Sequence, residues 1–355
     1  MSMDKSALSR RRILSLGAIG AASFAGCLGS SDNGGEETNN DDSVSDEVDS
    51  DNETDVDSKD DESEGLPENG AVVFVYDDGP MKDYTQAFPA HQAFDAPATT
   101  GIITSRIGLQ DYNGYDWMDV EQLEELEAAG WEIASHTTEH SVVGTYELVE
   151  DADPADNRVY PEEIRHGYWK SKDLEITDGE TTVTRTIVGY DEDDVGKYIE
   201  LDESIGESFM RGETVTRFGE EAMHEALGES KQKLEDLGFE VDSFLAPYDN
   251  FDDYSRKFAS EYYSSIANAE HGSRINYPDE FDPFYTHRDY FIEFSSPDSV
   301  KADLDKIAEQ GLLGVLGAHT YKEEVTEERI YETLEWVDER GIEVLTLREA
   351  CQMAE

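Results

Sequence analysis

Cysteine is nearly absent from this chain, with Cys27 and Cys351 the only two in 355 residues. Cys27 closes an export-type leader in a lipobox-like context, and with a lipid on it Cys351 would be the one cysteine left, so no internal disulfide is expected. Basic residues are scarce as well: 27 Lys and Arg stand against 84 Asp and Glu, for a net charge of −57. A phosphate backbone would be repelled by such a surface, which argues against nucleic acid as a partner. The one long apolar stretch, Ile13 to Ala25, is too short for a comfortable transmembrane helix. No His-Glu-x-x-His pattern is present, which counts against a metallopeptidase, and no internal repeat is visible.

The charge is not confined to one segment. Setting aside the basic leader and the acidic tract after it leaves roughly −44 on the remainder. An acidic, Lys-poor folded part reads as adaptation to high salt, where self-repulsion is screened and hydrated carboxylates maintain solubility.

The leader, residues 1–27, reads as an export signal. Ser9-Arg10-Arg11-Arg12-Ile13-Leu14 resembles a twin-arginine sequence, and Phe24-Ala25-Gly26-Cys27 resembles a lipobox with Phe in place of the usual first Leu. The expectation is export of a folded protein and a lipid on Cys27 that anchors it to the outer face of the cytoplasmic membrane. Residues 28–68 are almost entirely Asp, Glu, Ser, Asn, Gly and Thr, a disordered acidic linker that cannot bury enough apolar surface to offset chain entropy. Residues 69–355 form the remaining domain.

Chemistry concentrates in two fragments of that domain. The apolar run Ala71-Val72-Val73-Phe74-Val75-Tyr76 ends in Asp77-Asp78-Gly79-Pro80, and Ser135-His136-Thr137-Thr138-Glu139-His140 follows a second strand signal at Trp131 to Ala134. Acidic pairs are common in so acidic a chain, as at Asp252-Asp253, but this pair stands at the carboxyl end of a continuous apolar strand, where α/β proteins place their sites. A catalytic metal asks for about three protein ligands and an open position for water. Asp78, His136 and His140 supply the ligands, and Asp77 is free to act as a base toward that water. The set reads as a hydrolase site for one divalent metal, zinc by ligand type, with cobalt, manganese or iron also accepted.

These pieces resemble the NodB-type polysaccharide deacetylases, the family four carbohydrate esterases, along most of residues 70–350. Asp77-Asp78-Gly79 matches the first family motif and Ser135 to His140 the second. Phe244-Leu245-Ala246-Pro247-Tyr248-Asp249 resembles the third, with its Arg absent and its Gly replaced by Asp249. Leu312 to His319 has the form of the last, although the Leu expected two residues before the His is displaced to Leu316. The resemblance implies roles: the Tyr248 amide as oxyanion donor, His319 as general acid, and a later Arg, here Arg288 in preference to Arg274, orienting Asp77. It also implies an acetylated polysaccharide or glycan as substrate. The rival reading is a tethered glycan-binding lipoprotein of the same fold that has lost activity, motivated by the altered third motif.

Strand and helix signals alternate from Gly70 onward, with strands expected near 71–76, 98–103, 131–135, 241–246, 264–267, 312–317 and 342–346, and helices near 119–129, 219–237, 253–262, 298–310 and 326–340. The alternation predicts an α/β fold with a parallel sheet. The resemblance makes it a distorted, incomplete (β/α) barrel of about seven strands. The second and third motifs lie further apart than that family needs, so about 145–215 is an insertion. Its β-rich runs Thr181 to Val188 and Lys197 to Leu201 predict a small β-subdomain, on which Tyr160, His166, Tyr168 and Trp169 are candidates for an aromatic sugar platform.

Overall fold

The computed structural model describes residues 65–354. The export signal, the lipobox with Cys27, and the linker up to residue 64 lie outside the described residues. Among the described residues, no helix is long and apolar enough to cross a membrane.

Ala71–Tyr76 is wholly buried and sits at the centre of the main sheet. A strand covered on both faces needs apolar residues without alternation, which is what its six residues provide. Eight strands run parallel in the order Ser265–Ile266, Ser243–Phe244, Glu132–Ser135, Thr99–Ile102, Ala71–Tyr76, Leu313–Ala318, His287–Tyr290, Glu270–His271. Glu343–Leu345 shares the free part of one edge of Ala71–Tyr76, pairing with Ala71 to Val73, and Ile275–Asn276 joins Leu313–Ala318 antiparallel. Among the described residues, no ladder joins the two end strands, so the barrel stays open. The expected count of about seven thus becomes eight along the path. His287–Tyr290 escaped the pattern because it reads His-Arg-Asp-Tyr, and a buried Arg288 gives no apolar signal.

Helices lie where their caps and periodicity dictate. Asp119 closes a reciprocal capping box with Gln122, and Val120–Ala128 buries Leu123 and Leu126 on one face. Glu220–Asp236 buries Met223, Ala226, Leu227, Ser230 and Leu234, a stripe at helical spacing. Between the second and third motifs the chain builds a separate six-stranded sheet, in the order Tyr146–Glu147, Val215–Phe218, Asp173–Thr177, Thr182–Glu192, Lys197–Leu201, Arg158–Val159, antiparallel throughout. Its Leu174, Ile176, Ile187, Ile199 and Phe218 belong to the same apolar cluster as the barrel's outer core.

One buried acid links three segments near the carboxyl ends of the strands. Asp83, with no exposed surface, accepts from Thr100 Oγ1 at 3.0 Å and from Thr320 Oγ1 at 2.6 Å. Burial pushes its carboxyl up to about 8 in spite of these bonds. The folded chain therefore keeps a proton that the unfolded chain releases near pH 4. Stability from this group is full below about pH 4 and is lost as pH rises toward 8. Asp83→Asn retains the acceptor and removes the titration, so urea unfolding should show the variant gaining on wild type across that window by on the order of a few kcal/mol. A difference independent of pH would rule out a protonated Asp83.

Candidate active site

The site forms where the parallel strands end. Asp77 and Asp78 follow Ala71–Tyr76, His136 follows Glu132–Ser135, and His319 follows Leu313–Ala318. Asp78 turns the chain with φ 80, and at Gly79 (φ 76) an added Cβ would come within 2.8 Å of Ile102 Cδ1. The left-handed backbone there favours glycine, and a side chain would also have to push the Ile102 side chain aside. The second fragment folds as a loop with Thr137 and His140 both left-handed (φ 61 each), held by Ser141 N donating to Thr137 Oγ1 at 2.8 Å. That loop folds His140 back beside His136, their rings 4.9 Å apart.

Asp78, His136 and His140 converge with ligand atoms all within 4.8 Å of one another. His136 Nδ1 bonds the Leu245 carbonyl at 2.8 Å, which fixes the proton there and leaves Nε2 as the inward lone pair. His136 Nε2 and His140 Nε2 lie 3.4 and 3.1 Å from Asp78 Oδ1, an atom that is buried and makes no hydrogen bond. Burial, reinforced by His136 and Arg106 and only partly opposed by Asp78, pushes His140 down to about 3, so its ring is neutral and able to ligate. Burial alone would raise Asp78, but the two histidines outweigh it and hold the carboxyl well below the usual range. An orphaned carboxylate oxygen facing the Nε2 atoms of two histidines fits a divalent metal.

Asp77, also buried, points to other partners. Arg288 Nη1 donates to Asp77 Oδ1 at 2.6 Å, and Asp77 Oδ2 lies 3.4 Å from His319 Nε2. The same guanidinium donates through Nη2 to Asp249 Oδ1 at 2.6 Å. Asp249 in turn accepts from Asn268 Nδ2 and the Tyr290 hydroxyl, each at 2.7 Å. Burial disfavours its charge, but Arg288 and these donors bring it down to about 2. At Gly317, a Cβ would stand 3.0 Å from Arg288 Nε. Two of the departures from the expected motifs, Asp249 in place of Gly and Gly317 where a Leu was expected, thus both adjoin the guanidinium that reaches Asp77. A cation arrives from a different strand, with a carboxylate to hold it and an empty Cβ position to admit it. Arg274 lies elsewhere, bonded to the Tyr290 carbonyl, Ser295 and Asp303.

His319 has a partner that sequence reading missed. Glu293, fully buried, accepts from His319 Nδ1 at 2.6 Å and from its backbone N at 3.1 Å, which turns Nε2 toward Asp77. Burial works against a charged ring, yet Glu293, Asp77 and Asp78 raise His319 to about 9, so it carries a proton at neutral pH. The available signal was a carboxylate directly after the apolar Tyr290-Phe291-Ile292. Tyr248, left-handed at φ 64, lines the same pocket as Asp77, His136, His140 and His319, its ring 4.5 Å from that of His140.

The four candidate platform aromatics do not make one surface. His166 is buried against Tyr146 and Phe218, Tyr160 bonds Asp193, and Trp169 packs on Phe218 and Tyr248. Only Tyr168 is exposed, against Tyr190. Of the four, His166 alone is fully buried, as part of the module's core.

Residues 65–199 match the family model described as polysaccharide deacetylase. No curated protein matches the chain. Among solved structures, similarity extends to a chitin deacetylase from the fungal pathogen Colletotrichum lindemuthianum, at 12% identity, covering 81% of this chain and 89% of that one with a TM-score of 0.44. A family 4 acetyl xylan esterase from Clostridium thermocellum, in complex with a cobalt ion, is 10% identical over 79% of this chain and 90% of its own (TM-score 0.41). A peptidoglycan deacetylase from Bacillus subtilis is 11% identical over 81% and 93% (TM-score 0.38). Asp77-Asp78-Gly79 and Ser135 to His140 both lie inside the matched residues, so residues 65–199 are similar to the polysaccharide deacetylase domain of the NodB type in the segment that carries the site.

Proposed function

We propose that this protein is a metal-dependent hydrolase that removes acetyl groups from N-acetylated or O-acetylated sugars of an extracellular or cell-surface polysaccharide. The observation that carries the reading is Asp77 standing between a fixed cation, Arg288, and the protonated Nε2 of His319, beside the Asp78, His136 and His140 cluster. Bound by those three residues, a divalent ion, zinc by ligand type, would supply Lewis acidity toward the acyl oxygen and the attacking water.

The remaining work falls to the chain's own groups. Asp77 Oδ2 accepts the proton of the water that attacks the acetyl carbonyl, and Arg288 Nη1, bonded to Oδ1, keeps the carboxylate aimed. The Tyr248 amide donates to the oxyanion. His319 Nε2 then gives its proton to the leaving nitrogen as the C–N bond breaks, releasing acetate and a free amine, or an alcohol from an ester. Glu293 stabilises the charged ring before transfer and holds its tautomer throughout. A base and an acid retained together favour an enzyme over a glycan binder, since binding alone needs neither.

Export by the twin-arginine route and a lipid on Cys27 would put this domain outside the cell on an acidic tether, within reach of such a polymer. The deciding experiment is acetate release at high salt, with added zinc, cobalt or manganese, from polymeric N-acetylglucosamine, exopolysaccharide and surface glycan. Acetate from at least one is expected. Tight binding to an acetylated glycan with no acetate from any would replace the enzyme by the tethered binder.

A further inference from the structure

The pocket around Asp77 is not built by the barrel alone. Arg165, from the inserted subdomain, lines it together with Lys322, three residues past His319. The Arg165 guanidinium lies over the Tyr248 ring, 4.7 Å from its centroid, and Arg106 is near enough to act electrostatically on both Tyr248 and His140. Cations are scarce in this chain and most are claimed: Arg217 by Glu175 at 2.7 Å, Arg340 by Asp305 at 2.7 Å, Arg348 by Asp242 at 2.9 Å. The one carboxylate Arg165 reaches among the described residues is the half-exposed Glu163, at 3.9 Å, a contact worth little in water, and its other polar contact is a long bond to the neutral Tyr168 hydroxyl at 3.5 Å. The carboxylates inside the pocket cannot neutralise the rim either, because Asp77 and Asp249 already share Arg288.

At the same rim stands Phe294, 85% exposed and left-handed at φ 60. A bulky side chain held in solvent at a strained backbone position offers a flat apolar face on which a sugar ring can lie. Aromatic face and unsatisfied cations together suit a sugar that also carries negative charge. A neutral glycan would leave both cations without a counterpart, in a fold whose long-range field is strongly negative.

We propose that the polymer this site accepts is anionic, with a carboxylate or sulfate on the sugar beside the acetylated one received by Arg165 and Lys322. The inference rests on the deacetylase reading and specifies its substrate class. At about 1 M salt, screening shortens the general repulsion to about 3 Å, so contact-range cations decide recognition.

The test measures kcat/KM for acetate release from hyaluronan oligosaccharides and their carboxyl-reduced counterparts, from keratan sulfate oligosaccharides and their desulfated counterparts, and from neutral chito-oligosaccharides. Wild type should prefer the charged member of at least one pair by about tenfold or more, and which pair it is identifies carboxylate or sulfate. Arg165→Gln and Lys322→Gln should each bring that ratio toward one, while Arg165→Lys retains most of it and guards against a folding defect. Equal rates within both pairs, or a preference untouched by Arg165→Gln, overturn the proposal and leave the deacetylase reading standing. No acetate from any of the five substrates, chito-oligosaccharides included, overturns that reading and the proposal with it.

Discussion

Replacing Asp77 by Asn should lower acetate release by on the order of a hundredfold or more while the protein still binds its metal and its glycan. Asn keeps the size and the acceptor for Arg288 Nη1, and it removes the only carboxylate oxygen facing His319 Nε2 at 3.4 Å. A positioned general base contributes about 10²- to 10⁴-fold, which sets the scale. Metal should be retained because Asp78, His136 and His140 are untouched, and Asp78 already provides the carboxylate ligand. The fold should survive as well, since Arg288 keeps Asp249 at 2.6 Å as counter-ion. The measurement is steady-state acetate release beside metal content and glycan affinity on the same preparation. Normal turnover in the variant would mean the base is another group; lost metal would make Asp77 a ligand.

His140→Ala should strip the metal. Wild type is expected to hold about one divalent ion per chain through three protein ligands, the usual number for an open site. The variant keeps Asp78 and His136, and His136 stays oriented by the Leu245 carbonyl, yet two ligands cannot reproduce the affinity of three. The loss should show directly as metal-to-protein stoichiometry after dialysis, without any assay of turnover. Undiminished stoichiometry would remove His140 from the ligand set. Because His140 is held near pH 3, its contribution as a neutral ligand should be insensitive to pH from about 5 upward.

How much of this was legible in the sequence depended on distance along the chain. The ligand cluster is carried by two short segments, each at the end of an apolar strand, so residue type, spacing and strand context sufficed to find Asp77, Asp78, His136 and His140. The helices Val120–Ala128 and Glu327–Glu339 were readable for the same reason, through their caps and periodic Leu, Ile and Val. Phe88–Gln92 was not, being short and containing Pro89 and His91. Glu293 was unreadable because its role comes from register: Tyr290 pairs with Gly317, which brings the residues after one strand beside the end of another. Arg288 was reachable only by resemblance, since the physical evidence for it, a bond to Asp77 across 211 positions, exists only in the folded chain.

The relocated guanidinium changes what an alignment of this protein can say about its activity. Position by position, the missing Arg of the third motif, Asp249 and Gly317 would score as three separate losses, and the chain would be sorted with degenerate relatives. Physically, Asp249 and Gly317 both serve the one guanidinium that reaches Asp77. A glycine at 249 would leave Arg288 with Asp77 as its one counter-ion, and a side chain at 317 would crowd the guanidinium, its Cβ 3.0 Å from Nε. For chains of this kind, the informative question is whether some buried cation reaches the first Asp of the Asp-Asp pair, wherever in the sequence it originates.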